Sequence, residues 1–359
     1  MNGRLASYLR RRVGMQILAL LAVLTAMMQV LELLDVTTDI LERGQGVSGL
    51  LYYAALRTPA ELALALPLAV LLGTMTALNA MSRGMEITAM RISGMSLMRL
   101  LRDLLPVLLA VAAVQVVLLQ AVLPRVEIEL KQWWNATTPP EPATAPEKET
   151  PPLWAHTRDG AVSIDTFSPD GRQLRDVRLY SQRAGQLTSR IRAATASWDG
   201  RAWQLEDVTE LRIEASGVRV IHEKMREWQS NLHPEEVLRL GLPRPYLSTM
   251  MLADVIAGSR VGSQPLSYYQ TALYRSFAAP LGVFIMLLLA LPTAITPARA
   301  TGGGAMLLAL TLGLGFLLFD GIVAALGSSG KFPPLATALT APLLFASIGL
   351  WRLRACESL

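Results

Sequence analysis

Few residues in this 359-residue chain have types and spacing suited to chemistry. The three histidines, His156, His222 and His233, are scattered, and the single cysteine, Cys356, lies near the C-terminus. Neither an internal disulfide nor a Cys/His metal cluster can be assembled from them. There is no His-Glu-x-x-His pair and no Gly-x-Ser-x-Gly elbow. The nearest approach to a phosphate-binding loop, Gly327-Ser-Ser-Gly-Lys-Phe332, fails on spacing and on the residue after lysine, and Gly302–Gly304 lead into an apolar run. A catalytic role for this chain alone is therefore not expected. Asp320 stands inside an apolar run, where an ionisable group costs about 2.5–3.5 kcal/mol to insert at mid-helix. It either reaches the outer interface or pairs with a neighbouring helix, or it lines a polar, solute-facing cavity.

The other polar feature is Ser82–Ser96, an island between two long apolar runs. Its spacing predicts a helix from about Gly84 to Ser93 that places Met85, Ala89 and Ile92 on one face. Arg83 and Glu86, three apart, are placed to pair, and Glu86 in the first turn suits the helix dipole. Gly94 predicts a C-terminal stop, and Ser96 a cap for the next helix. Such a segment is either a solvated loop lying against lipid headgroups or a docking element for a cytosolic partner.

These features must be positioned by membrane spans. The chain is 52% hydrophobic and only 17% charged, against about 25% charged in globular proteins, and its apolar residues are gathered in long runs. Six spans are predicted: Val13–Leu34, Ala60–Met81, Leu104–Leu123, Ser276–Ile295, Ala305–Leu326 and roughly Phe332–Trp351. The first is too long for a signal-peptide core and lacks a small-x-small cleavage site. The second holds Pro67 and, near its outer end, Glu61. Gln115 and Gln120 in the third are expected to hydrogen-bond between helices.

Between the third and fourth spans hydropathy disappears. Trp133 and Trp134 mark an interfacial exit, and Thr137–Pro152 reads as a linker. From Leu153 to about Gln229 apolar residues alternate: Val162/Ile164, Val177/Leu179, Ile191/Ala193, Leu211/Ile213 and Val218/Val220. Turn signals fall at Ser168–Gly171, Arg183–Gly185, Trp198–Gly200 and Ser216-Gly217. This predicts a β-sandwich or jelly roll. Pro243–Ser259 follows, with a helix beginning at Ser248. The expected architecture is a polytopic α-helical membrane protein of six transmembrane helices with an inserted all-β, jelly-roll-like domain. Its parts are residues 1–123, 124–275 and 276–359, with a cytosolic loop at 82–103.

Eleven arginines (4, 10, 11, 12, 83, 91, 99, 102, 299, 352 and 354) fall on one side of this arrangement, against Glu86, Asp103 and Glu357. The two short opposite loops, 35–59 and 327–331, hold only Arg43, Arg57 and Lys331. An excess of cations on one side predicts cytosolic termini and an external β domain. The net charge of +5 thus reads as topology, and no nucleic-acid partner is expected.

The strings Leu66-Pro67, Leu72-Gly73, Met85-Glu86 and Met90-Arg91-x-x-Gly94-x-Ser96 resemble the YjgP/YjgQ family, the LptF and LptG permeases of lipopolysaccharide export. Ala193–Leu205 with Trp198-Asp-Gly-Arg-Ala-Trp203, Pro243-x-x-x-Leu247-Ser248, Leu291-Pro292, Pro333-Pro334 and Pro342 are similar too, in order along essentially the whole chain. The first outer loop, Asp35 to Tyr53 with Gly44-Gln-Gly46, looks more like LptG than LptF. The resemblance implies a bacterial inner-membrane permease, with the β domain in the periplasm, that pairs with an LptF-like permease around a cavity open to the outer leaflet. A cytosolic LptB-like ATPase dimer would carry the ATP and Mg, leaving no cofactor on this chain. Lipopolysaccharide would pass to a periplasmic bridge of LptA/LptC-like proteins, the latter a single-helix anchor. Glu86, Met90, Arg91 and Gly94 would belong to the coupling helix, and the first and fifth spans to a lateral gate. The family's cations near the outer end of span 1 have no counterpart here, where Glu32, Asp35 and Asp39 stand. Arg43 and Arg57 are the nearest cations and, with Asp320, the expected substrate contacts. Two other readings are a lipoprotein-releasing permease, disfavoured by six spans, and a membrane-anchored periplasmic binding module.

Overall fold

The computed structural model describes residues 2–92, 94, 96–138, 152–157, 160–183, 186–214, 217–241, 246–294 and 303–357. Most of the expected linker, the turn residues Ala184, Gly185 and Ser216, and Pro243, Arg299 and Gly302 lie outside them. The chain divides into two compact units, Met1–Thr38 with Leu50–Leu123 and Gln270–Leu359, and Asp39–Gly49 with Pro124–Tyr269.

Six helices are long and apolar enough to cross a membrane. The first two, α1 (Asn2–Glu42) and α2 (Gly46–Arg83), correct one expectation. The loop foreseen over 35–59 shrinks to a break at Arg43–Gln45. Hydropathy marks where lipid would end, whereas a helix continues until a residue stops it. The stops are Gly44 and Gly46, at φ of +73° and +59°, where glycine meets no Cβ penalty. Next come the short α3 (Glu86–Ile92) and α4 (Leu97–Val117), which passes through a π-helical turn, Leu118–Val122, into α5 (Leu123–Thr137). In that turn the Leu123 N–H bonds the Leu118 carbonyl, five residues back. Pro124 supplies a reason, since it lacks an N–H and its ring excludes the carbonyl four residues earlier.

The six strands are β1 (Leu153–Thr157), β2 (Gly160–Phe167), β3 (Gln173–Arg183), β4 (Gln186–Trp198), β5 (Trp203–Glu214) and β6 (Gly217–Trp228). Two short helices follow, α6 (Pro234–Leu240) and α7 (Thr249–Ile256), then α8 (Leu266–Ala290), α9 (Gly303–Ser328) and α10 (Pro334–Glu357).

In the helical unit α2 and α8 form the centre: 67% of the most apolar stretch of each is buried, against 11% for α1 and 22% for α9. Val70, Leu71, Leu78, Val283, Met286 and Leu287 are fully enclosed. The outward apolar faces of α1 and α9 suit lipid or another apolar surface. α1 and α2 pack antiparallel at close range, for a Cβ on Gly73 would lie 2.6 Å from the Ile17 Cα. Gly73→Ala is therefore expected to force the helices apart and lower stability by about 1–3 kcal/mol, read as a drop in the apparent melting temperature. An unchanged melting temperature would refute the close contact.

The all-β domain is present as one open antiparallel sheet in sequential order β1 to β6. This meander takes the place of the expected sandwich or jelly roll. Neighbouring strands are joined by short turns, such as Ser168–Gly171, so each pairs with its successor and long crossovers do not arise. The alternation places Val162, Ile164, Val177, Leu205 and Val208 inward, where they pack with Leu232, Val237 and Val261. The Trp203 ring is fully buried, and its Nε1–H donates to the Leu232 carbonyl at 2.8 Å. Ile213 and Val220, also expected inward, are half exposed, because they lie toward the β5–β6 turn, away from the residues that cover the core.

One buried carboxylate ties β5 to β6. Glu210 is 3% exposed and bonds Arg226 at 2.8 Å and Arg212 at 2.9 Å. Burial works against its charge, but these two guanidiniums outweigh it and hold the carboxyl below the usual range. The stabilisation is present above the unfolded carboxylate value and is lost as pH falls through the lowered folded value. Acid unfolding of the sheet, followed by Trp203 fluorescence in the full chain, should thus occur at higher pH in Glu210→Gln. An identical acid transition would rule this out.

Candidate functional site

The described residues of the polar island are held by caps and by contacts to α1. Ser96 caps α4, its hydroxyl accepting from the Arg99 N–H at 3.2 Å, and Gly94 closes α3 at φ +85°. Glu86 lies in the first turn of α3, and its Oε2 accepts from the Tyr8 hydroxyl of α1 at 3.1 Å, taking Tyr8 where Arg83 was expected. Arg10 of α1 donates from Nε to the Asp103 carbonyl at 2.7 Å. The foreseen stripe is real but faces outward: Met85 is 69% and Ile92 83% exposed, and Ala89 is exposed as well. The face turned into the core carries Ile87 and Met90. Periodicity identified an apolar face but could not tell which of two faces the neighbours would cover. Arg91 is exposed beside the stripe.

Asp320 of α9 is held by Arg275 of α8 in a two-pronged pair, Oδ1 to Nη1 at 2.9 Å and Oδ2 to Nη2 at 2.6 Å. Nη1 also lies 3.3 Å from the Asp320 carbonyl. Sequence reading missed Arg275, because it placed the fourth span's start at Ser276 and so counted this residue as part of the loop. The helix begins at Leu266, ten residues before Ser276, which puts Arg275 on α8 facing α9.

The two cations near the C-terminal end of α1 are both engaged. Arg57 donates to Glu32 at 2.8 Å, and Tyr53 donates to the same oxygen at 2.8 Å. Arg43 lies 3.9 Å over the Trp134 ring and donates to the Trp134 carbonyl at 2.8 Å and to Thr138 at 2.6 Å. Gln115, expected to bond across helices, is buried and its Oε1 has no partner among the described residues. In the β-bearing unit a cavity of about 720 Å³ opens among Lys131, Asn135, Trp154, Phe167, Leu240 and Gln264. One cation and several apolar walls make it amphipathic.

Six helices able to cross a membrane and a β domain inserted after the third define a multi-pass membrane protein. Among the described residues, no group of three or more His, Cys, Asp or Glu side chains could hold a metal ion. The model of the family "Lipopolysaccharide export system permease LptF/LptG" matches residues 7–355, and the chain belongs to that family. It is similar to the lipopolysaccharide export system permease protein LptG of Escherichia coli K12, with 23% identity across 98% of both chains. The LptG of Haemophilus influenzae Rd is 24% identical over 56% of this chain and 57% of its own. Within the family the chain is LptG-like, a transport component.

Proposed function

We propose that this chain is one permease of a pump that lifts lipopolysaccharide from the inner membrane toward a periplasmic bridge, powered by a separate cytosolic ATPase. The exposed stripe Met85, Ala89 and Ile92 carries this reading. It lies on the side that the arginine excess assigns to the cytosol, and the sequence has no nucleotide-binding loop. A pump without its own ATPase receives force through such a contact. Glu86, Met90, Arg91 and Gly94 build the coupling helix: Met90 anchors it, Gly94 ends it, and Glu86 ties it to α1. Both termini lie in the cytosol and the β domain in the periplasm. ATP and Mg stay on the ATPase dimer.

The apolar outward faces of α1 and α9 suit pairing with an LptF-like permease around the lipid. The β sheet, its edge strands β1 and β6 open, begins the path toward LptA/LptC-like bridge proteins. Arg43 and Arg57 serve the headgroup phosphates only by exchanging Trp134 and Glu32 for them. Asp320 acts through Arg275, whose charge it balances. Depletion of the protein, followed by tracking of newly made lipopolysaccharide, tests the reading. Accumulation in the inner membrane is expected, and normal delivery to the surface would overturn it.

A further inference from the structure

The seam between α1 and α2 contains a polar strip whose outer half is satisfied and whose inner half is not. In the outer half Glu32 holds Arg57 and Tyr53. Next along the seam, Thr58 Oγ1 lies 2.7 Å from the Ala54 carbonyl and 3.2 Å from the Gln29 side-chain amide. The pairs Glu32–Arg57 and Gln29–Thr58 set an antiparallel register, which carries Glu61 of α2 to the level of Thr25 of α1. Glu61 is 5% and Thr25 8% exposed. Both Glu61 carboxyl oxygens, Thr25 Oγ1 and Gln29 Nε2 have no hydrogen-bond partner among the described residues. Orphaned buried polar atoms are rare, and four in one seam of a spanning segment call for a physical account.

The chemistry of the set becomes uniform once the Gln29 amide is oriented by its neighbour. Thr58 has one hydroxyl proton, and the nearer acceptor is the Ala54 carbonyl. The oxygen and nitrogen of a glutamine amide are assigned from such bonds. Turning the Gln29 amide lets Nε2 donate to Thr58 Oγ1 and puts Oε1 in the unsatisfied position. The orphans are then all oxygens: an amide carbonyl, a hydroxyl and a carboxylate, the donors that hard cations take. Glu32 and Glu61 share the one guanidinium of Arg57, which bonds Glu32, so the seam has one carboxylate more than it has cations. We propose that this seam binds a small monovalent cation of the sodium class, held by Glu61, Thr25 and Gln29. The ion clamps α1, whose most apolar stretch is otherwise mostly outside the core, against α2. A divalent ion would meet one free carboxylate and leave net positive charge within the span. The site stands on the seam alone and is independent of the transport reading.

The test is the apparent melting temperature of the full purified chain in detergent, at fixed pH, with sodium chloride exchanged for choline chloride at constant ionic strength. A saturable rise of a few degrees is expected by about tenfold the dissociation constant, because the ion binds only the folded state. Glu61→Gln, which keeps the shape and removes the charge, should melt at the same temperature with and without sodium. Thr25→Val should fold and need roughly tenfold more sodium for half-saturation, a loss of one ligand. Equal sodium responses in wild type and Glu61→Gln, or an unshifted half-saturation in Thr25→Val, would overturn the site. So would a stabilisation that follows pH and ignores sodium, which would assign Glu61 to a proton.

Discussion

Asp320→Leu is expected to be one of the two most damaging substitutions, and replacing Arg275 as well is expected to undo much of the harm. The two side chains meet in a two-pronged pair between α8 and α9. Removing one partner leaves the other's charge inside a membrane protein with nothing to balance it. For buried pairs this costs roughly 3–5 kcal/mol, and the partial exposure of this pair, 30% and 22%, places it toward the lower end. Asp320→Leu and Arg275→Leu alone should each lower the melting temperature in detergent and the amount of folded protein recovered from membranes. The double substitution, which removes both charges, should recover most of the loss. Additive losses would show that the pair contributes nothing as a pair. Export assays separate structure from transport: a stable double variant that no longer exports would place the pair on the substrate path.

Ile92→Asp should abolish export while leaving the protein folded and inserted. Ile92 is the most exposed residue of the stripe, so a charge there costs the monomer little. In a docked interface the same charge would be stripped of water with no partner, a penalty of at least about 2 kcal/mol, equivalent to roughly thirtyfold weaker association. The contrasting variant is Met90→Asp, two residues earlier on the opposite face of the helix. Met90 is buried, so this change should unfold the loop helix and lower recovery of the protein itself. Co-purification of the proposed cytosolic ATPase with each variant, set beside thermal stability, distinguishes the two effects. Full export by Ile92→Asp would return the island to a solvated loop against the headgroups.

The six spans, the inserted strands, the helix stop at Gly94 and the cap at Ser96 were all legible in the linear sequence. Each rests on local rules: apolar run length, alternation, and the conformational preferences of glycine and serine. The family motifs were legible for the same reason, being short strings in order. What lay beyond that reading was set by neighbours distant in the chain. The face of α3 that is covered depends on the core residues against which Ile87 and Met90 pack. The partner of Asp320 is 45 residues away, and that of Glu32 is 25 residues away. The sheet's order depends on which strands meet, and alternation alone fits a meander as well as a sandwich. The length of α1 depends on where a glycine stops it, about two turns beyond where hydropathy falls. Local preference and hydropathy thus determined which segments form helices and strands. The tertiary structure alone decided which polar groups meet a partner and which are left without one, because pairing is a property of two segments and is written in neither.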